Sequence, residues 1–162
     1  MTGSSGQRKR TVAMSCVHMT ELVLPNDTNQ LGNLLGGRLM HWIDIAAAIA
    51  AQRHSGTVCV TASVDELNFH LPIRLGDVVT LQAFVNRAFR TSMEVGVVVT
   101  AQNVRGSTPE KANNAYLTFV AVDDHGKPML IPPIVPETRE EKERFENAMR
   151  RREDRLSRRK LF

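Results

Sequence analysis

The fold of this chain is decided by residues 25–44, PNDTNQLGNLLGGRLMHWID. The stretch begins as a polar loop of turn-forming residues and continues as an apolar segment opened by Gly36 and Gly37. One carboxylate, Asp44, stands inside the apolar segment, where burial is costly unless the group is paired or used. Bare backbone N–H groups at a helix start attract negative charge. An acid that can act as a general base, together with N–H groups that can stabilise an oxyanion, is the least that attack on an acyl carbonyl requires.

Residues 37–53 are predicted to form one long α-helix. Apolar side chains recur along one side of it at helical spacing: Leu35, Leu39, Trp42, Ile43, Ala46, Ile49 and Ala50. Arg53 and His54 favour the negative C-terminal end, and Gly56 is a typical residue to end a helix. A helix of this length spans about 25 Å, which is enough for the central helix of a small domain.

Strand-like segments surround this helix. They comprise residues 14–24 before it and residues 57–69, 78–87, 91–103 and 112–122 after it. Successive strands joined by short links are expected to pair antiparallel. An antiparallel sheet with one face covered by an apolar helix predicts an α+β fold.

The chain of 162 residues is expected to contain one folded domain, residues 12–130. Residues 1–11, rich in Ser and Gly, are predicted to be a disordered tail. Residues 131–162 combine a Pro-rich linker, which cannot be regular helix or central strand, with a charged surface helix over 136–159. The thin apolar stripe of that helix leaves open whether it frays or docks on a neighbouring subunit.

Charge and composition exclude several classes of protein. The net charge is +4, but residues 11–136 hold eight basic and ten acidic residues, which argues against a nucleic-acid-binding body. No apolar run approaches the roughly 20 residues that span a bilayer, and no secretory signal is recognisable. Cys16 and Cys59 are too few for a disulfide framework, so free thiols in a reducing cytoplasm are expected.

Each candidate functional residue also fits a purely structural role. Asp44 could pair with Arg38 or Arg53, or simply face water. Asn29, 15 positions before Asp44, would ordinarily be a turn residue. The glycine pair could serve only a close approach of helix to sheet. The combination of Asn29, the glycine pair and Asp44 indicates a functional site more specifically than any one of these residues does.

Two further stretches follow residues 27–44 in order: residues 64–79, VDELNFHLPIRLGDVV, and residues 90–95, RTSMEV. With these motifs, residues 16–128 resemble the hotdog-fold acyl-CoA thioesterases, in the subgroup of bacterial and mammalian cytosolic acyl-CoA hydrolases. The resemblance implies an antiparallel sheet wrapped around the central helix. It also implies homodimers, often as trimers of dimers (hexamers), with the active site between subunits.

By the same resemblance, Asn29 and Asp44 match the catalytic Asn and Asp of the family and are expected to meet across two chains. The N–H groups of Gly36 or Gly37 would stabilise the oxyanion, and Asp44 would act as general base or as nucleophile. Asn29 would orient the water or the thioester. The reaction needs no metal or other cofactor, since coenzyme A is part of the substrate and product, and no histidine has ligand spacing.

Coenzyme A carries phosphates, which predicts basic or hydroxyl side chains at the mouth of the site. Arg87, Arg90 and Ser92 lie around one turn and are the candidates. A solvated hairpin tip is the alternative for this turn. For the whole protein, a non-catalytic hotdog module that binds acyl-CoA as a sensor is the alternative to a cytoplasmic hydrolase of fatty acyl-CoA.

Overall fold

A computed structural model describes residues 9–106 and 108–160. The predicted central helix is present as α2, Gly36–Ser55, and it ends at Gly56 in the left-handed conformation expected of a C-terminal glycine. The elements in chain order are β1 (Arg10–Thr11), α1 (Val12–Ser15), β2 (Val17–Leu22), α2 (Gly36–Ser55), β3 (Val58–Phe69), β4 (Val78–Ala88), β5 (Ser92–Gln102), β6 (Glu110–Val122), β7 (Ile134–Val135) and α3 (Arg139–Arg159).

Five strands form one antiparallel sheet in the order β2-β4-β5-β6-β3. The pairing of successive strands is confirmed for β4, β5 and β6, but it is wrong for β3, which pairs with β6 and not with β4. The reason lies in the link over residues 70–77, which does not form a hairpin. It runs past the start of α2, where Leu34 N donates to the Ile73 carbonyl and Asn33 bridges Arg74. Strand β3 therefore lies at an edge of the sheet, separated from β4 by β5 and β6.

The sheet wraps around α2, which lies on its inner face. Four alanines on this helix, Ala46, Ala47, Ala50 and Ala51, are completely buried. Their small side chains let the helix axis come close to the strands. The inner face of the sheet supplies the larger core residues: Val79, Leu81, Val85, Met93, Val95, Val99, Leu117 and Phe119. Each such side chain contributes roughly 1.5–3 kcal/mol on burial.

The outer face of the sheet carries α3, which docks on its own domain. At the centre of the contact, Glu94 is 1% exposed, and Arg151 donates to both of its carboxylate oxygens at 2.9 and 2.7 Å. Asn86 donates to the same carboxylate at 2.9 Å. Although burial lowers the pKa of Arg151, its hydrogen bond to Glu94 raises it above the ordinary value on balance. The Arg151 guanidinium also lies 3.7 Å from the centre of the Tyr116 ring.

The prediction of a disordered tail over residues 1–11 is wrong at its C-terminal end. Residues 1–8 lie outside the described residues, but Arg10–Thr11 pairs in parallel with Ile134–Val135 of the Pro-rich segment. The Arg10 guanidinium donates to the carbonyls of Arg53 and His54 at 2.9 and 2.7 Å. A cation from the chain start therefore satisfies the negative end of α2, a role the sequence assigned to Arg53 and His54.

His54 joins α2 to the Pro-rich segment inside the core. Its side chain is fully buried, and Nε2 lies 2.7 Å from the Pro132 carbonyl. A carbonyl only accepts, so Nε2 carries the proton of the neutral ring. Burial lowers the pKa of His54; the hydrogen bond to Pro132 opposes this, and the charge of Arg10 lowers the pKa further.

Replacing Arg151 tests how α3 is held. Arg151→Ala is expected to lower the free energy of unfolding by about 3 kcal/mol, because Glu94 is left charged and buried without its cation, with only the hydrogen bond from Asn86. The exposed neighbour offers a matched control, since Arg150→Ala should change stability by less than about 0.5 kcal/mol. Urea denaturation measures both variants, and equal losses in the two would contradict this assignment.

The buried His54 predicts a loss of stability in acid. The unfolded chain takes up a proton near the ordinary pKa of 6.5, whereas the folded chain resists protonation to lower pH. Stability should therefore fall below pH 6.5, by at most about 1.4 kcal/mol per pH unit from this group. Urea denaturation at pH 7.5 and 5.5 should show a smaller loss in His54→Gln than in the unchanged protein. The exposed control His125→Gln should keep the full loss.

Candidate active site

Asp44 lies on the side of α2 that faces the edge strand β3. It is half-buried, and Thr61 of β3 donates a 2.7 Å hydrogen bond to its Oδ1. The structural alternatives of pairing with Arg38 or Arg53 do not apply. Arg38 forms an ion pair with Asp27 at 3.1 Å, and Arg53 donates to the Cys16 carbonyl at 2.7 Å. The carboxylate of Asp44 therefore has one oxygen fixed by a hydroxyl and no cation bound to it in the described part of the chain.

Thr61 was missed by the sequence analysis. It faces inward opposite Phe119, immediately before a break in register between Thr61 and Ser63. A bulge of this kind re-aims side chains and is common near functional sites. The only signal in the sequence was a polar residue on a strand that faces the helix, which does not by itself reveal the partner on α2.

Asn29 stands at the tip of the loop before α2 and is exposed. Its Oδ1 accepts from the backbone N–H of Leu31 at 2.9 Å and of Asn33 at 3.2 Å. The structural role of Asn29 as a turn residue is thus confirmed. These two bonds also fix the carboxamide, so that its Nδ2 is left as a donor with no partner among the residues that the structure describes.

Asp27 fastens this loop to the helix, and the sequence analysis did not single it out. Its Oδ2 accepts from the Leu24 N–H at 2.9 Å, and its Oδ1 lies 3.1 Å from Arg38 Nε in the first turn of α2. Its own carbonyl accepts from Leu35 N–H at 2.8 Å. A buried carboxylate with these three links holds the Asn29 loop in a set position relative to the helix start.

The start of α2 is open. Leu35 occupies the N-cap position without a capping side chain, and its carbonyl accepts from the N–H groups of Arg38 and Leu39. The N–H groups of Gly36 and Gly37 have no acceptor in the described ranges. A Cβ at Gly36 would lie 3.3 Å from the Phe69 ring, whereas at Gly37 it would meet nothing within 4 Å. The start of α2 therefore offers both open space at Gly37 and the unpaired N–H groups of Gly36 and Gly37.

The helix start and Asp44 are separated by the geometry of α2 itself. Asp44 is eight residues after Gly36, which places it about 12 Å further along the helix axis. Within one chain the acid is therefore not beside the N–H groups that would stabilise an oxyanion. Asn29 likewise bonds to its own loop and not to Asp44.

The surface next to Asp44 is unusually apolar. Strand β3 is an edge of the sheet, and it exposes a series of apolar side chains: Val58, Val60, Val64 and Phe69. Ile45 and Ile49 of α2 are also more than one-third exposed. An exposed apolar edge strand is a surface that natural proteins cover with another chain or element.

The three residues predicted to bind coenzyme A phosphates are in different situations. Arg87 donates to the Phe145 carbonyl at 3.2 Å and lies 3.9 Å from the centre of that ring. Ser92 accepts from Arg152 at 3.3 Å. Both are thus engaged by α3, which the sequence analysis did not place there. Arg90 is exposed at the turn. Their role in binding stays a prediction.

A cleft of about 250 Å³ opens next to the helix start. It is lined by Asn33, Leu34, Leu39, Phe69, His70, Leu71, Pro72 and Ile73. A groove of about 400 Å³ lies elsewhere, between β3 and the C-terminal part of α3, where side chains of both charges line it. The cleft is the smaller of the two, but it adjoins the unpaired N–H groups.

No helix in the described residues is long and apolar enough to cross a bilayer. In the same ranges, no group of three or more His, Cys, Asp or Glu side chains could hold a metal ion. Cys59 is buried and free, and burial raises the pKa of its thiol; Cys16 is partly exposed and also free.

A sheet wrapped around one helix, with a carboxylate on that helix beside an open edge strand, defines a hotdog-type protein. A model of the thioesterase superfamily matches residues 31–107. An uncharacterised acyl-CoA thioester hydrolase of Bacillus subtilis is 41% identical over 146 residues, which cover 90% of this chain and 85% of that protein. The chain therefore belongs to the thioesterase superfamily, within its family of acyl-CoA thioester hydrolases.

Solved structures agree with this assignment. A hexameric acyl-CoA thioesterase superposes with a TM-score of 0.92 at 40% identity, over 96% of this chain and 99% of that chain. An acyl-CoA hydrolase of Staphylococcus aureus, solved with butyryl coenzyme A, coenzyme A and coenzyme A disulfide, gives 0.88 at 39% identity, over 94% and 93%. Alanine variants of that hydrolase at one aspartate, one threonine and one asparagine have also been solved.

Some relatives are much longer. Acyl-coenzyme A thioesterase 11 of Mus musculus is 43% identical over 140 residues, which are 86% of this chain but only 23% of that protein. The chain thus spans about a quarter of that relative.

Proposed function

We propose that this protein hydrolyses acyl-CoA thioesters to a carboxylic acid and coenzyme A. The observation that carries the proposal is the Asp44 carboxylate, held by Thr61 at 2.7 Å and open towards an apolar edge. The alanine variants of the Staphylococcus aureus hydrolase support the choice of residues. Their asparagine, aspartate and threonine are spaced by 15 and 17 positions, as are Asn29, Asp44 and Thr61.

The active site is proposed to be shared between two chains. A thioester carbonyl bound at the N–H groups of Gly36 and Gly37 would lie about 12 Å along the axis from Asp44 of the same helix. Reacting atoms must approach to about 3–3.5 Å. The acid is therefore supplied by the partner's α2, while Asn29 comes from the chain that binds the carbonyl. The exposed apolar edge at β3, next to Asp44, is the surface through which two chains would meet.

In the reaction, the thioester C–S bond breaks and a new C–O bond forms. As general base, Asp44 takes a proton from water while the hydroxide adds to the carbonyl carbon. The helix-start N–H groups stabilise the oxyanion, and Asn29 donates from Nδ2, since its Oδ1 is occupied within the loop. The proton then passes to the departing thiolate sulfur. Attack by Asp44 itself is the alternative route to the same products.

The proposed reaction uses no cofactor. The proposed assembly is a homodimer that further associates into hexamers, on the model of the hexameric relative. A cytoplasmic location is proposed because several relatives are cytosolic acyl coenzyme A thioester hydrolases. Arg87, Arg90 and Ser92 are retained as candidates for contact with the phosphates, with Arg90 the most accessible of the three.

Thiol release from acyl-CoA tests the activity. The purified protein should release coenzyme A, detected with a thiol-reactive dye, and Asp44→Asn should lower kcat by at least about a hundredfold, as expected for loss of a general base. Asp124→Asn, an exposed carboxylate after β6, is the matched control and should be fully active. Saturable binding of acyl-CoA without turnover would favour the alternative of a sensor.

Mixing two inactive variants tests the shared site. Asn29→Ala and Asp44→Ala are each expected to be inactive, but a dimer with one chain of each has one intact site. Random reassociation should therefore restore about a quarter of the original activity, since half of the symmetric dimers are mixed. No recovery, despite subunit exchange shown by mass, would place both residues in one chain's site.

Thr61 is expected to position Asp44 without reacting itself. Thr61→Val removes the hydrogen bond to the carboxylate and should lower kcat about tenfold with little change in KM. Thr61→Ser keeps the hydroxyl and should restore most of the rate. Steady-state kinetics of the two variants measure both effects. Equal losses of kcat in Thr61→Val and Thr61→Ser would count against this role.

A further inference from the structure

Arginines from two distant parts of the chain meet at the turn between β4 and β5. Arg87 stands near the end of β4, Arg90 is exposed at the turn, and Arg152 reaches the turn from α3. Arg152 Nη1 donates to Ser92 Oγ at 3.3 Å, and the Arg152 guanidinium lies 4.2 Å from the centre of the Phe89 ring. The Arg87 guanidinium lies 5.9 Å from the centre of the same ring. One ring and one hydroxyl thus hold cations together.

The positive charge at this turn is not balanced by acids. Within the described ranges, none of the three arginines forms an ion pair. No acid stands one turn away from Arg152 on α3, where the neighbours are Ala148, Met149, Arg155 and Leu156. Burial lowers the pKa of Arg152, and the charge of Arg155 lowers it further. An anion at this turn would therefore meet a positive charge that no bound carboxylate has neutralised.

The donors available at the turn suit a phosphate group. A guanidinium carries five N–H groups in one plane, and the bond to Ser92 Oγ is the one that Arg152 forms among the described residues. Arg152 is partly exposed, so a ligand can reach its remaining N–H groups. The Ser92 oxygen accepts this bond, which leaves the hydroxyl proton for another acceptor. A planar fork beside a hydroxyl proton matches the several oxygens of one phosphate.

The position of the turn relative to Asp44 leaves two sources for such a phosphate. Ser92 follows the turn next to Met93, and Phe119 pairs with both Met93 and Thr61, the residue that binds Asp44. Ser92 is therefore only about 10 Å, or two strand spacings, across the sheet from β3. It lies on the outer face, however, whereas Thr61 faces inward. Coenzyme A bound at Asp44 reaches the turn only around the sheet, but a free nucleotide has no such constraint.

We propose that Arg152, together with Arg90 and the Ser92 hydroxyl, binds the phosphate groups of a nucleotide. The nucleotide is either the end of coenzyme A in the substrate or a free nucleotide. Arg87 adds its charge nearby while its own guanidinium stays on the Phe145 ring and carbonyl. In this proposal α3 is part of a binding site and not only a cover for the outer face of the sheet.

Calorimetric titration of the full-length protein with adenosine 3′,5′-bisphosphate tests the site without any need for hydrolysis. Arg152→Ala should weaken binding about tenfold, the effect of one hydrogen bond to a charged group. Arg152→Lys keeps the charge without the planar fork and should lie between the two. Arg150→Ala, an exposed arginine two residues earlier on α3, should bind as the unchanged protein does. Added salt should weaken binding less in Arg152→Ala than in the unchanged protein.

Two thioesters distinguish the sources of the phosphate. If the nucleotide belongs to the substrate, Arg152→Ala should raise KM for butyryl-CoA about tenfold, with kcat unchanged. Butyryl-pantetheine, which lacks the nucleotide, should then be hydrolysed equally by both proteins. If the nucleotide is free, the bisphosphate should bind without competing with butyryl-CoA, and Arg152→Ala should leave KM unchanged.

Three results would overturn the proposed phosphate site. They are no binding of the bisphosphate, equal binding by Arg152→Ala and the unchanged protein, or a rise in KM for both thioesters, which would indicate a structural defect. Failure to hydrolyse either thioester, with binding of the bisphosphate intact, would count against the proposed function alone.

Discussion

The close packing of α2 against the inner face of the sheet is the constraint on which the rest of the structure depends. The completely buried alanines Ala46, Ala47, Ala50 and Ala51 leave no room for the helix to rotate or lift without opening voids. This packing fixes the direction in which Asp44 points, namely towards the margin between helix and edge strand. Asp44 is half-buried there. It is shielded enough for Thr61 to position it at 2.7 Å and open enough for the role that we propose for it.

Hydrogen bonds set the position of the remaining site groups. The Asn29 loop is closed by its own side chain and tied to α2 through Asp27, so it behaves as an extension of the helix start. The two halves of the site, Asn29 with the open helix start and Asp44 with Thr61, stand about 12 Å apart along α2. Under the proposed function, association of two chains completes the site, and the exposed apolar edge of β3 lies beside the acid.

The sequence was sufficient to predict the secondary structure. It was insufficient to predict which distant segments pair or pack together. The helix, its terminal Gly56, the five sheet strands and the α+β class follow from periodicity and turn residues, which are local properties. The edge position of β3, the pairing of Arg10–Thr11 with the Pro-rich segment and the docking of α3 depend on contacts over 40 or more positions. Asp44 and Asn29 became candidates because a motif links them, whereas Thr61 and Asp27 form tertiary hydrogen bonds that the local sequence pattern does not indicate.

The docking of α3 shows why a charge run in a sequence is hard to interpret. Its arginines were expected on a charged surface helix, yet Arg151 binds a buried carboxylate, and Arg144 and Arg152 lie over the rings of Phe84 and Phe89. Arginine suits this purpose because its flat guanidinium stacks on rings while it donates in its own plane. Arg151 compensates the charge of Glu94 at the centre of this contact. The carboxylate to which we assign the reactive role, Asp44, lies on α2, and no cation is bound to it within the described ranges. The ion pair of Arg151 with Glu94, which fastens α3, is thus separate from Asp44, the carboxylate that we propose for the reaction.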